Sequence, residues 1–198
     1  MMQTITRYIL VALSAVMLEN LIFSRALGTS TLILIAKSRK NIVGFGICVT
    51  YITTVTSVIQ YFADRYIISQ NTNVLYKPLF YIIIIGTVYI ITLLCLWKYL
   101  SKVFGKMKKY IHISAFNCAV LGSMFINSNS NNTIIGYILF GLFSGLGFIL
   151  AIYMTAIVYD RLCSEKVPLS FRGYPLILIY IGILSMAFYG LTGYGLSF

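Results

Sequence analysis

Ser114-Ala115-Phe116-Asn117-Cys118-Ala119-Val120-Leu121-Gly122 places an asparagine and a cysteine side by side inside an apolar run, residues 111–126. A basic segment, Lys98 to Lys109, precedes the run. At about 16 residues it is shorter than the ~20 that a plain membrane-spanning helix needs. Polar groups in hydrocarbon cost several kcal/mol when unsatisfied, so they sit there only with partners. A thiol at that depth has two uses. It packs as a small hydrophobe, or it ligates a soft metal or an iron–sulfur cluster. Spacing alone leaves both readings open.

Composition supplies the setting. The chain has 198 residues, 60% of them hydrophobic and only 10% charged, with a mean hydropathy of +0.92. Those values describe a polytopic membrane protein with an all-helical fold. So little polar sequence remains that residues 1–198 read as a single integral membrane domain. The net charge of +11 would suggest nucleic acid in a soluble protein. Here the basic residues lie between apolar spans, which points to topology and excludes nucleic acid as a partner. Cys48, Cys95, Cys118 and Cys163 show no CxxC spacing, so neither a zinc site nor a disulfide framework is indicated.

Six spans are predicted. Span 1, about Ile5 to Ile35, is too long for one straight crossing. It contains Glu19, Asn20, Arg25 and Gly28. A helix, a break near Leu27–Ser30 and a short second piece resolve it, with Glu19 and Arg25 pairing or reaching polar surroundings. Span 2 (Ile42 to Phe62) carries Gly44, Gly46 and a threonine-rich centre. Span 3 is Leu79 to Trp97, span 4 the Cys118 run, span 5 Thr133 to Tyr159, and span 6 Pro175 to Leu196. Span 5 carries Gly141 and Gly145, a GxxxG spacing that favours close helix packing. Asn127 to Asn132 reads as a polar loop, and Asn131-Asn132-Thr133 formally matches a glycosylation sequon. His112 reads as an interfacial histidine, and Cys95 and Cys163 as ordinary free thiols.

The loops after spans 1, 3 and 5 hold eleven Lys/Arg: residues 37, 39, 40, 98, 102, 106, 108, 109, 161, 166 and 172. The opposite side holds three, Arg7, Arg65 and Lys77. Positive residues stay inside. The basic loops are therefore expected in the cytoplasm, both termini outside, and the chain in the inner membrane as a multi-pass protein. Asp64-Arg65 is echoed by Asp160-Arg161, Pro78-Leu79 by Pro175-Leu176, and Asn20 by Asn117. The offsets of 96 to 97 residues divide the chain into halves of about 1–100 and 101–198. Three spans per half make this a 3+3 inverted repeat with helices 1 and 4 interrupted. Functional sites in such repeats lie near the midplane, at the interrupted helices.

With these residues in view, the chain resembles the six-helix membrane subunits of the Rnf and Na⁺-translocating NADH:quinone reductase complexes, closest to the RnfA/NqrE type. Asn117 to Gly122 is similar to the family's second cysteine motif. Val167-Pro168, Phe171, Gly173, and Ser185-Met186-Ala187-Phe188 with Gly190 and Gly193 are similar to its C-terminal signature. Gly44-Phe45-Gly46 resembles its second helix, and Asn20 with Leu27-Gly28 its first. The resemblance implies pairing with a sister subunit of opposite orientation, and further redox subunits around the pair. It also implies an intramembrane 2Fe–2S cluster shared between the two sister chains, through which electrons cross the bilayer. The chain would be no enzyme alone, but one part of an ion-translocating oxidoreductase.

One motif departs from the pattern. The family's first motif reads Leu-Gly-x-Cys-Pro-Phe, where this chain has Leu27-Gly28-Thr29-Ser30-Thr31-Leu32. Ser30 holds the cysteine position, and Cys118 is kept. Three readings follow. Ser30 is a fourth, harder ligand; Cys48 substitutes; or the chain is a divergent paralogue without a cluster, acting as a scaffold or small transporter.

Overall fold

The computed structural model describes residues 6, 12–18, 20–38, 41–66, 76–99, 101–130, 133–165 and 167–192. Glu19, Arg39, Lys40, residues 67–75, Asn131-Asn132 and residues 193–198 lie outside the described residues, and with them the Glu19–Arg25 pair, the sequon and the last glycines. Every regular element among the described residues is helical. A π-helical segment, Ser14–Leu18, is followed by α1 (Thr29–Ala36), α2 (Ile42–Tyr66), α3 (Lys77–Tyr99), α4 (Ser101–Ala115), α5 (Cys118–Ser130), α6 (Ile134–Leu162) and α7 (Tyr174–Thr192).

Three helices, α2, α3 and α6, are long and apolar enough to cross a membrane, and the bent pair α4–α5 makes a fourth candidate. α7 is apolar but shorter. Two helix breaks occur among the described residues, and the first begins earlier than the expected Leu27–Ser30, overlapping it at residues 27–28. Residues 21–28 form the break, and α1 begins at Thr29, so Ser30 sits in a helical first turn and not in the break itself. Asn20 starts the interruption earlier because its side chain captures backbone N–H groups that a continuing helix would have used. The second break is Phe116-Asn117, with 49° between the helices either side.

Four stretches expected as loops are helical. The basic residues 102–109 belong to α4, Asn127 to Ser130 extend α5, and Asp160-Arg161 belong to α6. Asp64-Arg65 likewise fall inside α2. Lysine and arginine are good helix formers, and long basic side chains let a helix run on past the edge of hydrocarbon. Charge therefore marks where the apolar spans stop, not where the helices stop.

The most extensive helix pair is α2 with α6. Threonine is a poor helix former in water, but in α2 hydroxyls are satisfied on their own helix. Thr50 donates to Gly46 O at 2.9 Å, Thr54 to Thr50 O at 2.7 Å, and Ser57 to Thr53 O at 2.7 Å. What then faces α6 is short and sheathed, and α6 answers with glycine. A Cβ added at Gly145 would lie 2.6 Å from Thr50 Cα, and one at Gly141 would lie 2.7 Å from Thr53 O. Two apolar clusters flank the pair. One gathers the first break, α1, α6 and α7 around Phe23, Phe148 and Phe188. The other gathers α2 to α5 around Tyr81, Val120 and Met124, with Cys48 buried in it.

Candidate functional site

The two breaks meet. The backbone N–H of Gly28, at the end of the first break, donates to Cys118 Sγ at 3.0 Å. Only glycine fits there. Its φ is +78°, and a Cβ would stand 2.7 Å from Phe148 Cε2 and 2.8 Å from Asn117 Oδ1. The other side of the junction is equally close, because a Cβ on Gly122 would collide with the Leu27 side chain.

An asparagine serves each break, Asn20 just before the first and Asn117 at the end of the second. Asn20 Oδ1 accepts from the N–H groups of Ile22 (3.1 Å) and Phe23 (3.4 Å). Its Nδ2 donates to Val16 O (3.0 Å) and to Gly147 O on α6 (2.9 Å). Asn117 Oδ1 accepts from Ala119 N–H at 3.1 Å, and Asn117 O accepts from Val120 N–H at 3.0 Å. These bonds satisfy donors that a broken helix leaves unpaired, which hydrocarbon would punish. Asn117 Nδ2 is buried with no partner among the described residues.

A carbonyl of the first break is covered by α7. Ser185 Oγ donates to Phe23 O, and the Phe23 and Phe188 rings stack with centroids 4.5 Å apart. Neither contact is legible in the sequence. The Ser185-Met186-Ala187-Phe188 stretch stands out as a motif, but nothing local to it points to residue 23.

Cys118 and Ser30 are both exposed at this junction. Cys118 heads α5 and Ser30 lies in the first turn of α1, two residues past the glycine that contacts the thiol. Cys48 faces away from it, into the apolar cluster with Ile52, Tyr81 and Val120. His112 lies in α4, with Nδ1 2.6 Å from the Tyr89 hydroxyl. Among the described residues no three His, Cys, Asp or Glu gather as a metal site.

The donor set can be tested against an iron–sulfur cluster. A thiol turned outward with an N–H donor already on its sulfur suits a cluster ligand. A hydroxyl beside the same junction is a second, harder oxygen donor. One thiol and one hydroxyl are short of four, so the residues fit as one side of a shared site and not as a whole one.

The model of the Rnf-Nqr subunit family, membrane protein, matches residues 8–194. This chain belongs to that family. Among its relatives is the A subunit of the ion-translocating oxidoreductase complex from Actinobacillus pleuropneumoniae serotype 5b. The two are 28% identical over 186 residues, covering 94% of this chain and 96% of the relative. The corresponding protein of Vibrio campbellii is 28% identical over 188 residues, covering 95% and 98%. That of Glaesserella parasuis is 28% identical over 186 residues, covering 94% and 96%. The match to the Rnf-Nqr family runs through both breaks and through α7.

Proposed function

We propose that this chain is the A-type membrane component of an ion-translocating electron-transport complex. It helps carry electrons across the bilayer together with soluble redox subunits and a sister subunit of opposite orientation. Near full-length similarity to proteins named as the A subunit of such a complex supports the assembly. The observation that carries the site is the Gly28 N–H on Cys118 Sγ, which joins two interrupted spans at one outward-facing thiol.

The 3+3 repeat of six crossings is part of the proposal. It is supported by the matching asparagine caps at residues 20 and 117 and by the pairing of α2 with α6, the middle span of each half. The basic asymmetry supports an inner-membrane location with both termini outside. Cys118 and Ser30 would hold this chain's side of a 2Fe–2S cluster, the partner supplying the rest. Such a cluster, when bound, takes up and releases one electron at a time. The chain's own groups orient the site: Gly28 N–H fixes the sulfur, Asn117 caps the helix that presents it, and Phe148 and Leu27 fill the space behind it.

A second reading is favoured by one residue. Ser30 replaces the family's cysteine with a hydroxyl whose proton is far harder to remove, as in a paralogue that keeps the scaffold without a cluster. Ser30→Cys separates the two. In the assembled complex, a paramagnetic iron–sulfur signal should strengthen with Ser30→Cys and vanish with Cys118→Ala. No signal before or after Ser30→Cys, with the partner present, would leave the scaffold or small-transporter reading standing.

A further inference from the structure

At the end of α2 away from the basic segments, Asp64 collects hydrogen bonds from its own helix and from two others. Tyr81 of α3 donates to its Oδ1 at 3.0 Å, and Tyr137 of α6 to its Oδ2 at 2.9 Å. Gln60, one turn earlier on α2, donates through Nε2 to Oδ2 at 3.2 Å and to Met124 O of α5 at 2.7 Å. Ser128 lies beside both phenols. Every one of these bonds involves a neutral donor. Among the described residues no Lys or Arg pairs with Asp64, although Arg65 and Lys77 are close in sequence. The carboxylate is half-buried, and its charge has no counter-charge among the described residues.

A second observation stands beside it. Gln60 is fully buried, and its Oε1 has no hydrogen-bond partner among the described residues. The amide cannot be turned round to cure this. Turning it would aim Oε1 at Met124 O and Asp64 Oδ2, acceptor against acceptor. A buried carbonyl oxygen without a donor is costly, and beside it stands a half-buried carboxylate whose partners among the described residues are all neutral. The two groups lie on successive turns of one helix, four residues apart, and a positive ion that reached both would offset both deficits.

We propose that Asp64 and Gln60 Oε1 bind a monovalent alkali cation, with Ser128 Oγ and the two phenol oxygens within reach as further ligands. All the donors are hard oxygens, which suit an alkali or alkaline-earth ion and not a soft metal. A single carboxylate balances one positive charge and not two. The site's use as a station on an ion path rests on the ion-translocating reading above. The binding itself does not.

The experiment uses the full chain in nanodiscs of phosphatidylcholine, titrated with NaCl against choline chloride at constant ionic strength. Sodium should raise the unfolding midpoint saturably and broaden the ²³Na resonance, and choline should do neither. Asp64→Asn should abolish both responses. Gln60→Leu, which leaves the Tyr81 and Tyr137 bonds intact, should weaken sodium binding about tenfold or more. If Asp64→Asn does not fold, the wild-type titration and Gln60→Leu decide. Equal effects of sodium and choline, or unchanged binding in Gln60→Leu, would overturn the proposal and leave a water-filled clamp. Loss of the redox reading would appear separately, as absence of a cluster signal in the assembled complex while sodium still binds.

Discussion

Gly28 is where two requirements fall on one residue. Its backbone adopts a left-handed φ, and its missing side chain makes room for Phe148 and Asn117. Left-handed backbone costs a residue with a Cβ roughly 1–2 kcal/mol, and overpacking adds about 1–3 kcal/mol. Gly28→Ala should therefore destabilise the chain by about 2–5 kcal/mol, read as a lower unfolding midpoint in nanodiscs. Reactivity offers a second check. In a chain with Cys95 and Cys163 changed to serine, a membrane-permeant thiol reagent should label exposed Cys118 and leave buried Cys48 untouched. Labelling of Cys118 should fall when the sister subunit is present. Equal labelling of the two thiols would remove the outward-facing site. The sequence points at Asn20, Gly28 and Cys118 because each is a residue type that hydrocarbon tolerates only for a reason. It does not show that Ser30 lies in a helix, since the break is set by what Asn20 captures and not by the threonines and serine that follow.

Among the elements, α2 and α6 show what a pattern reveals and what it withholds. GxxxG at Gly141 and Gly145 announces a close approach. It says nothing of the partner, which the hydroxyl face of α2 supplies. Gly145→Leu should cost at least about 1–3 kcal/mol through the clash with Thr50. Gly86 and Gly182, which face open space, should accept alanine with little change in the same assay. The Asp64 cluster is invisible in the sequence, because its members come from α2, α3, α5 and α6 and no spacing links them. Helix ends escape the sequence for a related reason. The change from apolar to basic residues marks the edge of hydrocarbon, and a helix of good formers continues through it into water.

At the scale of the whole molecule, charge is the most legible feature. A reporter fused after Phe198 should register an external location, and one inserted within residues 102–109 a cytoplasmic one. The reverse pattern would assign this chain the orientation proposed for its sister. Metal content makes a second statement about the whole. With one thiol at the junction and no three-residue cluster of metal ligands among the described residues, the isolated chain should carry no stoichiometric iron or sulfide. Iron and sulfide bound at equal stoichiometry to the purified single chain would contradict a shared site.

The contact between Ser185 and Phe23 spans 162 positions of sequence. A ribosome feeding this chain into the bilayer makes the first break long before it makes the residues that cover it. Until α7 arrives, the Phe23 carbonyl and ring have neither the hydroxyl nor the Phe188 face they finally meet. The first segment must therefore wait in a provisional form, sheltered by water, lipid headgroups or the insertion machinery, and it acquires its final geometry after synthesis has passed residue 188. A nascent chain stalled before that point would display an unfinished first span, and quality-control proteases would meet it in that state.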